Sequence, residues 1–174
     1  MEIEKVIVGE LEENCYIISK DNSCLVIDPG SEFHKIQNKI GNKKVLGVLI
    51  THHHFDHVGA LKEALSYYET KVYDFNNLEE KEYLIGSFKF NVIINPGHTT
   101  DSISFYFREE KVMFVGDFIF LDSIGRCDLE GGNFSSMRES IKKIKAYADD
   151  IVIFPGHGDK TTLGYEKENN YYFN

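Results

Sequence analysis

The chain has 174 residues, of which 42% are hydrophobic and 27% are charged, and its formal net charge is −9 at pH 7. This length and composition are ordinary for a globular protein with a hydrophobic core, so we expect residues 1–174 to form one domain. The acid excess argues against nucleic acid as a partner, because a phosphate backbone calls for a basic surface.

No segment has the pattern of an export signal or a membrane span. Residues 1–5 are already charged, no apolar run suited to a signal peptide follows them, and no stretch approaches about 20 apolar residues. The three cysteines, Cys15, Cys24 and Cys127, form no C-x-x-C pair, which is typical of free thiols in a reducing compartment. We therefore predict a cytoplasmic protein that binds no membrane.

The hydrophobic pattern alternates between strands and helices, which predicts an α/β fold. Short apolar runs predict strands over 2–8, 15–19, 23–28, 45–50, 71–75, 87–94, 102–107, 111–115 and 151–154. Apolar residues at helical spacing predict helices over 33–40, 58–68 and 137–148, and a polar helix is expected from Leu163. Residues 78–84 are expected to form a helical turn, and the glycine-rich residues 125–132 a loop.

Residues 51–60 read Thr-His-His-His-Phe-Asp-His-Val-Gly-Ala and contain the spacing H-x-H-x-D-H. Because a strand alternates faces, His52 and His54 can point the same way. If the chain then turns into a helix at Asp56 and His57, the side chains of these two residues come to lie beside the first two. Imidazole and carboxylate are ligands for zinc, iron(II) and manganese. His53, which lies between His52 and His54, is expected to point away from these two side chains. The alternative is a polar loop in which Asp56 caps the helix and the histidines are solvated.

Histidine and proline fall together at strand ends. All three prolines lie in Pro-Gly pairs after apolar runs, and two of these pairs are followed by a histidine, His98 and His157. A third apolar run ends in Gly-Asp at Asp117. Because α/β sheets bind ligands at the carboxyl ends of their strands, the pattern predicts a metal site assembled from several such ends.

These motifs resemble those of the metallo-β-lactamase superfamily. The resemblance rests on residues 51–57, Pro96-Gly-His98, Gly116-Asp117 and Pro155-Gly-His157, and it extends over almost the whole chain. Supporting stretches at 14–17, 26–30 and 123–132 are most similar to the short, single-domain relatives of glyoxalase II, or hydroxyacylglutathione hydrolase. The resemblance implies a four-layer αββα sandwich with its site along one edge of the two sheets.

The resemblance also implies a ligand set for two divalent transition-metal ions, zinc first, with iron or manganese as alternatives. His52, His54 and His98 would hold one ion, and Asp56, His57 and His157 the other, with Asp117 bridging both. Asp28 either orients a ligand imidazole or is only a turn residue before Pro29-Gly30.

Such a site implies a hydrolase in which a hydroxide shared by two metal ions attacks a thioester such as hydroxyacyl-glutathione, and Asp56 orients the nucleophile and accepts its proton. A small-molecule substrate is therefore expected. Arg126 is the candidate contact for a substrate carboxylate, although it could equally brace its loop. Cys127 is expected to pack rather than to act as a nucleophile. The helical C-terminal domain of full-length glyoxalase II, which helps to bind glutathione, is not expected here, because the sequence ends seventeen residues after His157.

Other functions remain open at this point. A persulfide dioxygenase with one iron shares much of the motif set. A nuclease is disfavoured by the acid excess, and a β-lactamase commonly has cysteine where Asp117 stands. A metal-binding module without enzyme activity would not need seven ligands.

Overall fold

The computed structural model describes residues 1–174 and contains two large β-sheets packed face to face. The first sheet has the order β1-β2-β3-β4-β5, and the second has the order β13-β12-β9-β8-β7-β6. The strands of the first are β1 Glu2–Val8, β2 Glu13–Lys20, β3 Ser23–Ile27, β4 Lys44–Leu49 and β5 Val72–Tyr73. Those of the second are β6 Glu82–Ile85, β7 Phe88–Ile94, β8 Ile103–Phe107, β9 Val112–Gly116, β12 Val152–Pro155 and β13 Thr161–Thr162.

A short hairpin and six helical segments complete the fold. The hairpin pairs β10 Ile119–Phe120 with β11 Ser123–Ile124. The helices are α1 Phe33–Ile40, α2 Phe55–Val58, α3 Leu61–Tyr68, α4 Phe134–Ile144, α5 Leu163–Asn169 and a 3-10 helix at Tyr171–Phe173. No helix is long and apolar enough to cross a membrane.

The hydrophobic core has three large clusters, one between the sheets and one on each outer face, and a small fourth cluster. The central cluster joins side chains of both sheets, such as Leu25 and Phe105. Ile36 and Ile40 of α1 pack on the outer face of the first sheet, while Met137 of α4 packs on that of the second. The predicted four-layer αββα sandwich is therefore confirmed.

One predicted element was wrong in type and another in its bounds. Residues 82–85 form β6 rather than part of a helical turn, because Ile85 pairs with Phe88 across a two-residue turn at Gly86-Ser87. Glycine here has φ of +58°, as tight hairpins require. The helix at 137–148 starts earlier and ends at Ile144, so Ala148 lies beyond it.

The alternative interpretation of the motif placed Asp56 at the N-cap of a helix, and this was wrong. Asp56 lies in the first turn of α2, whose N-cap is His54, and α2 is a separate helix of four residues. The helix is interrupted at Gly59 because the Ala60 amide donates to the Pro29 carbonyl, 3.0 Å away, instead of to a carbonyl of α2. The break leaves Asp56 and His57 on a short, independently placed turn above the strand ends.

Candidate metal centre

Three histidines bring their ligand atoms together at the edge where β4 and β7 end. Nδ1 of His54 lies 3.2 Å from Nε2 of His52 and 2.9 Å from Nε2 of His98. Burial, followed by the neighbouring His57, lowers the pKa of His52 well below its ordinary value. Burial and His98 likewise lower the pKa of His54. Both imidazoles are therefore neutral at pH 7, the form that binds metals.

A second group lies beside the first and combines α2 with the loop after β12. Nε2 of His157 lies 3.2 Å from Oδ2 of Asp56, and Nε2 of His57 lies 3.9 Å from the same oxygen. Gly156 allows this close approach: a Cβ at that position would overlap Oδ1 of Asp117 and come within 2.6 Å of Cε1 of His57. Any side chain there would displace the second group.

Asp117, at the end of β9, lies between the two groups. Its Oδ1 is 3.3 Å from Nε2 of His57, while its Oδ2 is 3.5 Å from Nε2 of His98 and 3.7 Å from Nε2 of His157. Burial alone would raise the pKa of Asp117, but the surrounding imidazoles, His57 foremost, lower it well below its ordinary value. One ionised carboxylate therefore reaches both groups.

The buried atoms of the centre fit a pair of divalent cations. Nε2 of His57 and Oδ1 of Asp117 are buried and have no hydrogen-bond partner in the protein, a costly arrangement that a bound cation would relieve. Within each group the donor atoms lie within 4.8 Å of one another. Nitrogen and carboxylate oxygen suit zinc, iron and manganese. His52, His54 and His98 would hold one ion and Asp56, His57 and His157 the other, with Asp117 reaching both.

Four of the five ligand imidazoles are held through their other ring nitrogen. Such contacts fix which nitrogen is free to bind a metal and how the ring is oriented. The partners are the Thr51 hydroxyl at 3.2 Å from His52, the Asp28 carboxylate at 3.0 Å from His57, the Arg126 carbonyl at 2.7 Å from His98 and the Leu11 carbonyl at 3.0 Å from His157.

Asp28 is more than a turn residue. It is buried, and its φ of +49° lies in the left-handed region, which is strained for a residue other than glycine but best tolerated by Asp and Asn. Its Oδ1 accepts from the Thr51 amide at 2.8 Å, and its Oδ2 accepts from the Thr51 hydroxyl at 2.6 Å and from Nδ1 of His57 at 3.0 Å. This backbone conformation therefore aims one carboxylate at both the motif loop and a ligand.

Glu13 also lies behind His57, although no sequence pattern singles it out. Its side chain is buried, neither oxygen has a hydrogen-bond partner, and Oε1 is 3.8 Å from Nδ1 of His57. Burial raises the pKa of Glu13 well above its ordinary value. A neutral Glu13 adds no second negative charge beside Asp28.

His53 belongs to neither group and points away from both. Its Nδ1 lies 2.5 Å from Oδ2 of Asp101, and its Nε2 lies 3.1 Å from Oδ2 of Asp74. These carboxylates precede β8 and follow β5, so His53 ties the motif loop to both sheets. The sequence showed no link among these three positions.

An open cleft of about 640 Å³ lies above the metal ligands. Five apolar side chains line it, which we call the apolar rim: Leu11, Phe55, Phe120, Ile124 and Leu129. Arg126 also lines the cleft, but its guanidinium binds Asp128 through two hydrogen bonds, of 2.7 and 2.8 Å. Cys127 does not line the cleft; its thiol donates to the Gly125 carbonyl at 3.4 Å and packs on the outer cluster of the second sheet.

Comparison with known proteins identifies the family. A family model described as the metallo-beta-lactamase superfamily matches residues 8–74 and 65–157, which include all seven ligand residues. The chain belongs to the metallo-beta-lactamase superfamily. The resemblance seen in the sequence is thereby confirmed.

Individual members of the metallo-beta-lactamase superfamily are similar over the full chain. Hydroxyacylglutathione hydrolase GloC of Haemophilus influenzae is 32% identical, with 100% of this chain and 99% of that protein covered. The crystal structure of BLEG-1 B3 metallo-beta-lactamase has a TM-score of 0.95 and 28% identity, with 99% of each chain covered. The crystal structure of TTHA1623 in a di-iron-bound form has a TM-score of 0.88 and 30% identity, covering 97% of this chain and 99% of that one. The superfamily and these relatives indicate a metal-dependent hydrolase.

Proposed function

We propose that this protein is a dinuclear metal-dependent hydrolase of thioesters, with hydroxyacyl-glutathione as the first candidate substrate. The observation that carries the proposal is the position of Asp117, whose carboxylate lies close to histidines of both groups of ligands. The name of the Haemophilus influenzae relative supports a thioester substrate, and the di-iron form of TTHA1623 supports two ions. Zinc is the first expectation for the metal, with iron or manganese as alternatives. The unpaired cysteines support a cytoplasmic location.

When bound, two divalent cations would lower the pKa of a water molecule and polarise a substrate carbonyl. The protein's own residues supply the rest. Asp56 faces the cleft. Burial alone would raise the pKa of Asp56, but the hydrogen bond from His157 lowers it below the ordinary value. Its carboxylate is therefore ionised at neutral pH, and it orients the attacking water and takes up a proton at Oδ. A thiol with a pKa of about 8.5 leaves without an acid, and the attacking water takes the place of a serine or cysteine nucleophile.

The direct test combines metal analysis with hydrolysis assays on protein loaded with zinc, iron or manganese. We expect about two ions per chain and release of free thiol from lactoylglutathione or from a neutral thioester. A single retained iron together with oxygen consumption on a persulfide would identify a dioxygenase instead. Loaded protein that hydrolyses no thioester would refute the proposal.

Asp56 provides a sharper test of the chemistry. Asp56→Asn keeps the shape of the side chain but removes its charge and its capacity to take up a proton. In metal-loaded protein we expect kcat to fall by about 10²- to 10⁴-fold, the usual contribution of general base catalysis, with a smaller change in KM. An unchanged kcat at full metal occupancy would remove Asp56 from the mechanism.

Hydrolysis of β-lactams is a second candidate, because a protein named as a B3 metallo-beta-lactamase is structurally similar over nearly the whole chain. The same loaded preparations should be assayed with a cephalosporin. If kcat/KM for the cephalosporin exceeds that for every thioester, the β-lactamase alternative replaces the thioester proposal.

A further inference from the structure

We propose that the cleft selects neutral thioesters with an apolar group near the reacting carbonyl, and that Asp128 lowers the use of anionic substrates by occupying Arg126. This inference rests on the proposed thioester hydrolysis. It replaces hydroxyacyl-glutathione, whose thiol carrier has two carboxylates, with a neutral substrate class, and it names a residue that determines specificity.

The apolar rim is the first observation. Phe55 is 76% exposed, Leu11 54% and Leu129 42%, although large apolar side chains are usually withdrawn from water where they have no ligand or partner to contact. Phe120 and Ile124 complete the rim around the metal ligands. Because these side chains surround the place where a carbonyl would react, an apolar group of the substrate would cover them and gain free energy from burial.

The state of Arg126 is the second observation. It is the one Lys or Arg side chain that lines the cleft, and both Nε and Nη2 donate to the carboxylate of Asp128. The two parallel bonds fix the orientation of the guanidinium, and because both side chains are exposed, at 62% and 70%, the pair can still be broken by a substitution or a stronger ligand. Asp128 is only two residues away, so a substrate carboxylate must compete with a partner that is always present at high effective concentration.

The neighbouring cavity provides no unpaired Lys or Arg for an anionic substrate. This cavity, of about 800 Å³, shares Leu11, Phe55 and Asp56 with the cleft. Its one Lys or Arg is Lys35, whose Nζ lies 2.8 Å from Oε2 of Glu32. Glu10 also lines it. A conjugate with several carboxylates would therefore meet a paired cation on each side of Phe55, and an acid, Glu10, in the neighbouring cavity.

The first experiment compares a neutral thioester with two thioesters of similar size that carry a carboxylate on one arm. S-Butyryl-N-acetylcysteamine is neutral, S-butyryl-3-mercaptopropionate carries a carboxylate on the thiol arm, and S-succinyl-N-acetylcysteamine carries one on the acyl arm. We expect kcat/KM of the metal-loaded protein to be at least about tenfold higher for the neutral compound. From acetyl to hexanoyl it should rise, by up to about fourfold per buried methylene.

The second experiment frees Arg126. Asp128→Ala should raise the ratio of kcat/KM for the mercaptopropionate or succinyl substrate over that for the neutral one by about three- to tenfold, since a charged hydrogen bond becomes available to the substrate. Glu130→Ala removes one negative charge from the same exposed loop without touching the pair, and should leave the ratio within twofold. In the double variant Arg126→Ala/Asp128→Ala the gain should disappear, which assigns it to the guanidinium.

The outcomes separate this inference from the proposed function. If no thioester of either kind is hydrolysed, the proposed function fails. If thioesters are hydrolysed but the anionic ones are preferred, or if chain length has no effect, the function stands and the substrate class is wrong. If Asp128→Ala and Glu130→Ala change the ratio equally, general electrostatics rather than the Arg126–Asp128 pair sets specificity.

Discussion

The candidate metal ligands and the apolar rim meet at the same cleft, yet they are held in opposite ways. His52 and His57 are 1% and 0% exposed, and each has its second ring nitrogen bonded to a fixed partner. Phe55 and Leu129 are exposed and make no such contact. In the proposed function, the chemistry of this cleft therefore depends on buried polar contacts, whereas substrate choice depends on side chains that can change with little effect on the fold.

The largest effect should follow from removing the residue shared by both ligand groups. Asp117→Ala leaves each group without its common oxygen, so metal content should fall well below two ions per chain. Because each cation contributes several kcal/mol to transition-state stabilisation, kcat/KM should fall by about 10⁴-fold or more. Metal analysis and thioester assays check this. Retention of two ions would contradict the bridging position of Asp117.

A smaller loss of metal affinity should follow from changing a residue that orients a ligand histidine. Asp28→Asn removes the charge that faces Nδ1 of His57, and we expect metal affinity of the second group to fall by about 10- to 100-fold, as for comparable contacts in other metal sites. Competition with a chelator of known affinity measures this. Asp21→Asn is a matched control, because Asp21 is an exposed aspartate with the same left-handed backbone, φ +46°. If both variants lose metal equally, backbone conformation rather than the contact is responsible.

The apolar rim should respond more weakly and in a different parameter. Leu129→Ala removes part of the surface that an apolar substrate would cover, so KM for a hexanoyl thioester should rise by about two- to fivefold. Metal content should stay near two ions per chain. Loss of metal in this variant would show that the rim and the metal ligands do not behave as separate regions.

The smallest effect on activity is expected at His53, which lies in the motif but outside both ligand groups. His53→Ala should keep both ions and change kcat/KM by less than about twofold. It should lower the free energy of unfolding by about 1 kcal/mol, because partly exposed hydrogen bonds to Asp74 and Asp101 are lost. Chemical denaturation and metal analysis measure the two quantities. Loss of metal equal to that in Asp117→Ala would overturn the ligand assignment.

The sequence predicted the four layers and the gathering of the candidate ligand residues at one edge, because both follow from local patterns. Apolar runs that end in Pro-Gly-His or Gly-Asp mark strand ends, and parallel and antiparallel pairing brings those ends to one edge. The strand at β6 was missed because its two-residue turn at Gly86-Ser87 is a weaker signal than the polar composition around it. Asp56 was misread as a helix cap because nothing local shows that the Ala60 amide bonds to Pro29.

The contacts that orient the ligands could not be read from the sequence in the same way. His98 and His157 are held by main-chain carbonyls, which every residue type possesses. The Arg126–Asp128 pair is visible as two charges, but only the folded loop shows that they face each other across the cleft edge. A lone leucine in the polar turn before β2 was the one available hint of the apolar rim, since such a turn has no local need for Leu11.

The two carbonyl contacts have an evolutionary consequence. Leu11 and Arg126 each hold a ligand histidine with the main chain while their side chains face the cleft. Any amino acid at these positions, except one that distorts the backbone, keeps the histidine in place. Descendants of this protein can therefore explore new substrates by single substitutions at residues 11 and 126 without first losing the catalytic centre. Substitutions at Asp28 or Gly156 offer no such freedom.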